Sequence, residues 1–204
     1  MKKSVSIFTV FVLLFSFAAC GNHAANERLS STSAEKSDTQ NDSSSSAETG
    51  SKSLVVYFSW SGNTENVARS IQSQTDADIF EIVPAVPYSG DYDTVVDLAQ
   101  EEQRTGARPV ISGSIENIEQ YDIIYVGFPI WWGDMPMILY TFFDTYDLSG
   151  KTVALFCTSG GSGLSETVNE VKSLEPNAAV TEGLHISSDS SSNPDNAVSE
   201  WLND

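Results

Sequence analysis

Between Ser53 and Leu202, short apolar runs alternate with helical stripes. Leu54-Val55-Val56-Tyr57-Phe58 is continuously apolar, the pattern of a strand buried on both faces. Thr64 to Gln74 follows, with Val67, Ala68 and Ile71 at helical spacing. Ile79 to Val83 predicts a second strand, stopped by Pro84. Asp93 to Arg104 predicts a helix with Val95, Val96 and Ala99 on one face and Gly106 near its end. Asp122 to Phe128 carries the strongest strand pattern, and Pro136 to Thr145 is a helix apolar on nearly all sides. Lys151 to Cys157 predicts a fourth strand, and Leu164 to Leu174 a helix ended by Pro176. Ala178 to Ile186 predicts a fifth strand, and Pro194 to Leu202 a closing helix with Ala197, Val198 and Trp201 inward. Strands separated by helices predict an α/β fold: a doubly wound, five-stranded parallel sheet between two helical layers. Ligands of such sheets sit beyond the carboxyl ends of the strands. Chemistry is therefore expected just after Phe58, Phe128 and Cys157.

Upstream of Ser53 the pattern changes. Lys2 and Lys3 precede a largely apolar stretch from Val5 to Ala19, closed by Phe17-Ala18-Ala19-Cys20. The stretch is short for a transmembrane helix and ends in small residues, as an export signal does. Ala-Ala-Cys followed by Gly21 resembles a bacterial lipobox. That implies a diacylated Cys20 as mature N-terminus and a lipid-anchored protein on the extracytoplasmic face of the membrane. An ordinary cleaved signal is the alternative. Gly21 to Lys52 is rich in Ser, Asn, Asp and Glu with almost no large apolar side chains, a composition that predicts disorder. Its 32 residues would make a tether with a reach of roughly 30 Å. The chain thus divides into a signal (1–20), a tether (21–52) and a folded domain (53–204).

Charge narrows the class. Of 28 Asp+Glu, 23 lie in 53–204 with only five of the ten Lys+Arg, so the whole net −18 falls on the domain. Such a domain does not suit a nucleic-acid backbone. The acidic excess suits solubility, or docking of a basic redox partner. Two Cys and two His are too few for a zinc cluster or a disulfide scaffold. Cys157 reads as a small buried hydrophobe and His185 as a structural histidine; the Asp91–Asp93 cluster with Tyr88 and Tyr92 reads as a turn with a helix cap, or else as aromatics that lap over a ligand ring.

Three loops carry the candidate chemistry. Ser59-Trp60-Ser61-Gly62-Asn63-Thr64 lies directly before a helix, where hydroxyls and backbone N–H groups can hold a phosphate. No Walker motif and no Gly-x-Gly-x-x-Gly follows Phe58. Pro129-Ile130-Trp131-Trp132-Gly133 places two adjacent Trp in one loop, a wall suited to a planar aromatic ligand. Thr158-Ser159-Gly160-Gly161-Ser162 offers backbone amides with little side-chain obstruction. A phosphatase loop starting at Cys157 would need Arg where Gly163 stands. A hydrolase elbow at Ser162 would need Gly where Leu164 stands.

Strand, Ser-x-Ser-Gly-Asn-Thr, helix resembles the FMN phosphate loop of flavodoxins. Pro-Ile-Trp-Trp-Gly and Thr-Ser-Gly-Gly-Ser resemble the ring-side loops of a flavodoxin-like branch found in bacterial lipoproteins. The resemblance covers Ser53 to Ile186 and implies strand order 2-1-3-4-5, FMN at the switch point between first and third strands, and electron transfer. It implies that Ser59, Ser61, Gly62, Asn63 and Thr64 hold the phosphate. Pro129 to Gly133 and Thr158 to Ser162 would frame ribityl and ring, and no residue is assigned as catalytic. The fifth strand leaves no room for the extended loop of long-chain flavodoxins. Two other readings stay open: an NAD(P)H-dependent FMN or quinone reductase on the same fold, and a surface interaction lipoprotein without cofactor.

Overall fold

A computed structural model describes residues 51–204. The expected signal, Cys20 and the expected tether as far as residue 50 lie outside the described residues. The elements are β1 (Ser53–Tyr57), α1 (Asn63–Thr75), β2 (Asp78–Glu81), β3 (Val83–Pro84), α2 (Tyr92–Thr105) and β4 (Ile111–Ser112). They continue with β5 (Ile123–Pro129), α3 (Met137–Thr145), β6 (Thr152–Ser159), α4 (Thr167–Leu174), β7 (Ala179–Val180), β8 (Leu184–Ser187) and α5 (Asp195–Leu202).

The main sheet is parallel and ordered β2-β1-β5-β6, with β7 and β8 both pairing β6. This is the expected 2-1-3-4-5 order. Strand alternation divides the core in two. Leu54, Val56, Phe58, Val126, Phe128, Leu155 and Cys157 face Ile138, Leu139 and Phe142 of α3 and Val171 of α4. Val55, Tyr57, Tyr125, Ala154 and Phe156 face Val67, Ala68 and Ile71 of α1 and Val198 of α5. Burial on both faces is why the central strands read as unbroken apolar runs. Each fully buried Leu, Ile or Phe among them contributes roughly 2 kcal/mol.

Gly127 makes this packing possible in β5. A Cβ there would lie 2.0 Å from the ring of Phe156, its register partner on β6. The missing side chain lets the aromatic ring cross the neighbouring strand.

The fifth strand departs from expectation. Val153 pairs with Val180 and Phe156 with Leu184, so Thr181 to Gly183 stand opposite only Ala154 and Leu155. One extra residue bulges the edge and splits the strand into β7 and β8. No Pro or turn cluster marks the insertion, so the apolar pattern runs across it. Two further differences are short. β3 and β4 form a two-residue antiparallel pair that periodicity cannot register. Helix α4 begins at Thr167, because Gly163 and Ser165 take positive φ (65° and 50°) in the turn before it. Among the described residues, no helix is long and apolar enough to cross a membrane.

Candidate functional site

The loop after β1 folds back on itself. The Gly62 N–H donates to Ser59 Oγ at 3.1 Å. Gly62 then takes φ 84°, a conformation that strains any residue with a Cβ, and α1 starts. No side chain caps α1. Its first-turn N–H groups and the positive end of its dipole therefore open onto the loop, an arrangement that favours an anion without any Lys or Arg. Ser61 is exposed there, and Asn63 Oδ1 accepts from Ser191 Oγ at 2.9 Å. Thr64 is buried, with its Oγ1 2.9 Å from Thr158 Oγ1. That bond joins the first loop to the third.

The loop after β5 begins where the Ile130 N–H donates to the Thr158 carbonyl at 2.9 Å. Trp131 and Asp134 exchange backbone hydrogen bonds of 2.8 and 3.1 Å around Trp132 and Gly133. With φ of 52° and 82° at those two positions, the turn is of type I′. Asp134 secures it by accepting from the Met135 N–H and from Tyr140 Oη, both at 2.7 Å. Burial, and secondly that carboxylate, hold the Tyr140 phenol well above its ordinary range.

The turn sends the two indoles apart. Trp131 packs edge-on against Phe58 and Tyr88, at centroid distances of 5.4 and 5.3 Å. Trp132 is 51% exposed and reaches across to α2, where its Nε1 donates to the Val96 carbonyl at 3.0 Å. Trp60 Nε1 donates to the Ser89 carbonyl at 2.9 Å, and its ring lies 6.2 Å from Tyr92. Between them is a cavity of about 300 Å³. Trp60, Ile130, Trp131 and Trp132 form one side of it, and Tyr92, Val95, Val96 and Ala99 of α2 the other.

The loop after β6 is held by its own side chain. Ser159 Oγ accepts from the Gly161 N–H at 3.2 Å and lies 2.9 Å from His185 Nε2 on β8. One of the loop's amides is thereby taken by the chain itself, while Gly160 and Gly161 put no side chain between backbone and solvent. Cys157, just before, is fully buried and its thiol is pushed up to about 12 by burial. Its Sγ donates to the Gly163 carbonyl at 3.5 Å. It is an inert core thiol.

All three sequence-derived loops converge at the carboxyl end of the sheet. Asp91 caps α2 as its neighbourhood suggested, accepting from the Thr94 N–H at 2.9 Å. Three contributions escaped the sequence. Val95, Val96 and Ala99 of the α2 wall follow a spacing that fits a core face equally well, and only Tyr92 of that wall is a candidate in the sequence. His185 touches the third loop through a register that the split strand obscures. Ser191 belongs to a Ser-rich run, 187–192, whose composition resembles that of residues 21–52, yet it is buried against the loop after β1. A lone His opposite a loop Ser on paired strands was the available signal for the second.

The family model for flavodoxin matches residues 52–204. The chain belongs to the flavodoxin family. Flavodoxin 1 of Escherichia coli K12 is 29% identical over 106 residues, 50% of this chain and 46% of that protein. A flavodoxin of Haemophilus influenzae is 27% identical over 140 residues, 63% of this chain and 65% of its own. The match thus spans less than half the length of the E. coli relative. A solved structure from Bacteroides eggerthii is 34% identical, with a TM-score of 0.68, covering 76% of this chain and 97% of that one. A flavoprotein from Lactobacillus acidophilus NCFM, solved in complex with FMN, is 26% identical with a TM-score of 0.61, covering 75% and 99%.

Proposed function

We propose that this flavodoxin binds FMN non-covalently and exchanges electrons with a redox partner while anchored through Cys20 to the extracytoplasmic face of a bacterial membrane. One observation carries the cofactor: an uncapped helix amino terminus beside an indole-lined cavity, linked to it through the Thr64–Thr158 bond and the Ile130 N–H that donates to the Thr158 carbonyl. An anion at one end and a flat aromatic body at the other is the shape of a flavin mononucleotide. The FMN complex of the Lactobacillus relative supports the same reading.

The residues fit the group in kind. The α1 amides and the hydroxyls of Ser59, Ser61 and Thr64 would hold the phosphate, with Gly62 allowing close approach. Trp60, Trp131 and Trp132, with the α2 wall, would enclose the ring and exclude water from it. Thr158 to Ser162 would supply backbone donors to its polar edge. Bound FMN supplies one- and two-electron chemistry, which the protein tunes through these contacts. No Lys or Arg stands in any of the three loops to read the 2′-phosphate of a nicotinamide cofactor, so the carrier reading is preferred to the reductase.

The test is extraction and fractionation. Full-length protein from the membrane fraction should release FMN on heating, and the stripped protein should bind FMN more tightly than riboflavin. Cys20→Ser should leave the membrane fraction or keep its signal uncleaved. Release of a different flavin would sink the cofactor assignment, and native fractionation of Cys20→Ser the anchor.

A further inference from the structure

Ser159 ends β6 at the head of the third loop, and its hydroxyl is shared. The Gly161 N–H donates to Oγ at 3.2 Å, and His185 Nε2 lies 2.9 Å from the same oxygen. The Ser188 N–H holds the Ser159 carbonyl at 2.9 Å, and the residue is buried. His185 pairs with Cys157, which places the imidazole on the sheet face opposite α1 and α5. It is the only histidine among the described residues.

We propose that His185 is the positive group of the flavin site: a positioning residue that, when protonated, tightens the hold on FMN by acting through Ser159. The proposal rests on the FMN reading above. Two effects act in one direction. The first is charge. An anionic ligand enters a domain of net −18 through loops without Lys or Arg, and an imidazolium one hydrogen bond behind the third loop offsets part of that repulsion. The second is hydrogen-bond direction. In the neutral tautomer protonated at Nδ1, Nε2 accepts a hydrogen bond from the Ser159 hydroxyl. A protonated Nε2 donates instead, so Oγ accepts from both His185 and Gly161, and its own O–H turns outward to an acceptor. FMN is rich in acceptors.

Titratable and charged groups stand around the His185 imidazole on the neighbouring elements. Cys157 beside it stays neutral, its thiol pushed up to about 12. The turn before α4 and α4 itself carry Glu166, Glu170 and Lys172, and Glu175 sits at the far end of α4 against Leu148. Glu182 and Asp189 flank β8 along the chain. On the opposite face α5 carries Asp195, which accepts from Ser70 Oγ at 2.6 Å, and Glu200. Imidazole is the side chain whose ordinary range falls between about pH 5 and 8.

FMN affinity of the full-length protein, measured by quenching of flavin fluorescence from about pH 8 down to about pH 5.5, tests this. Wild type should gain about fivefold over His185→Gln across that span, the lower end of ordinary site-to-site coupling. The titration of the FMN phosphate is common to both proteins and cancels. Ser159→Ala, which keeps the charge and removes the relay, should show a smaller gain. Linkage demands a matching signal that needs no variant to fold differently: the His185 imidazole, followed by ¹⁵N NMR and distinguished from His23 by its loss in His185→Gln, should titrate higher with FMN bound. Parallel affinity profiles, or an imidazole titration unmoved by FMN, overturn the role of His185 alone. Failure of wild type to bind FMN at any pH overturns the cofactor reading and this inference together.

Discussion

Thr64 and Thr158 show how one buried hydroxyl pair joins two loops of the candidate site. Their 2.9 Å bond ties the start of α1 to the end of β6, and both side chains are buried. Thr64→Val keeps the shape and removes the hydroxyl, leaving Thr158 Oγ1 without that partner. An orphaned buried hydroxyl costs about 1–3 kcal/mol, so the melting temperature should fall by several degrees. Because Thr64 stands in the first turn of α1, the same change should weaken FMN while leaving riboflavin nearly unaffected, and Thr64→Ser should restore both. Equal loss for the two flavins in a binding titration would place the phosphate elsewhere. The hydroxyl's presence in the loop was plain from Ser-Gly-Asn-Thr, but its partner ninety-four residues away was not. Sequence spacing carries no information about which strand ends meet until the topology is known.

At the scale of elements, the sheet was legible because its central strands are buried on both faces and read as apolar runs. The helices were legible because α1, α2 and α5 each bury one stripe. What escaped are features with no period: the bulge at Thr181–Gly183, the two-residue β3–β4 pair, and the cavity wall on α2. Val95, Val96 and Ala99 satisfy a core pattern whether they face a neighbouring helix or a ligand. The contact of α2 with the preceding loop makes a separate prediction. Tyr88 Oη donates to Glu102 at 2.9 Å, and Tyr88 in turn backs Trp131. Burial raises the Glu102 carboxyl above its ordinary range, and the Tyr88 bond pulls less strongly the other way. The folded state therefore binds the proton more readily than the unfolded chain, and stability falls as pH rises through that range. Glu102→Gln keeps the acceptor and removes the charge. It should melt higher than wild type at neutral pH, with the difference closing as pH falls toward about 4. A difference independent of pH would mean that the carboxyl does not carry the effect.

Across the whole molecule, the charge distribution sets what the site can do. The net −18 lies on the domain, no Lys or Arg stands in the three loops, and the indole faces of Trp60, Trp131 and Trp132 are electron-rich. Full reduction of a flavin at neutral pH adds negative charge to its ring. Coulomb repulsion from the surrounding carboxylates and from the fixed phosphate disfavours that addition, and the partly desolvated cavity weakens screening. Each influence acts in the same direction, and protonated His185 is the one proposed counterweight. Bound FMN should therefore take its second electron at a lower potential than free FMN, by an amount that shrinks as pH falls through the imidazole range. Exposed carboxylates more than about 10 Å away are screened at ~0.1 M salt, whereas the phosphate and the indoles are not. Added salt should therefore recover only part of the difference. Spectroelectrochemical titration of the holoprotein at low and high salt decides the matter. A second-electron potential at or above that of free FMN would remove the electrostatic account and favour the two-electron reductase in its place. A low potential unmoved by salt would assign the tuning to the indoles and the phosphate rather than to the acidic surface.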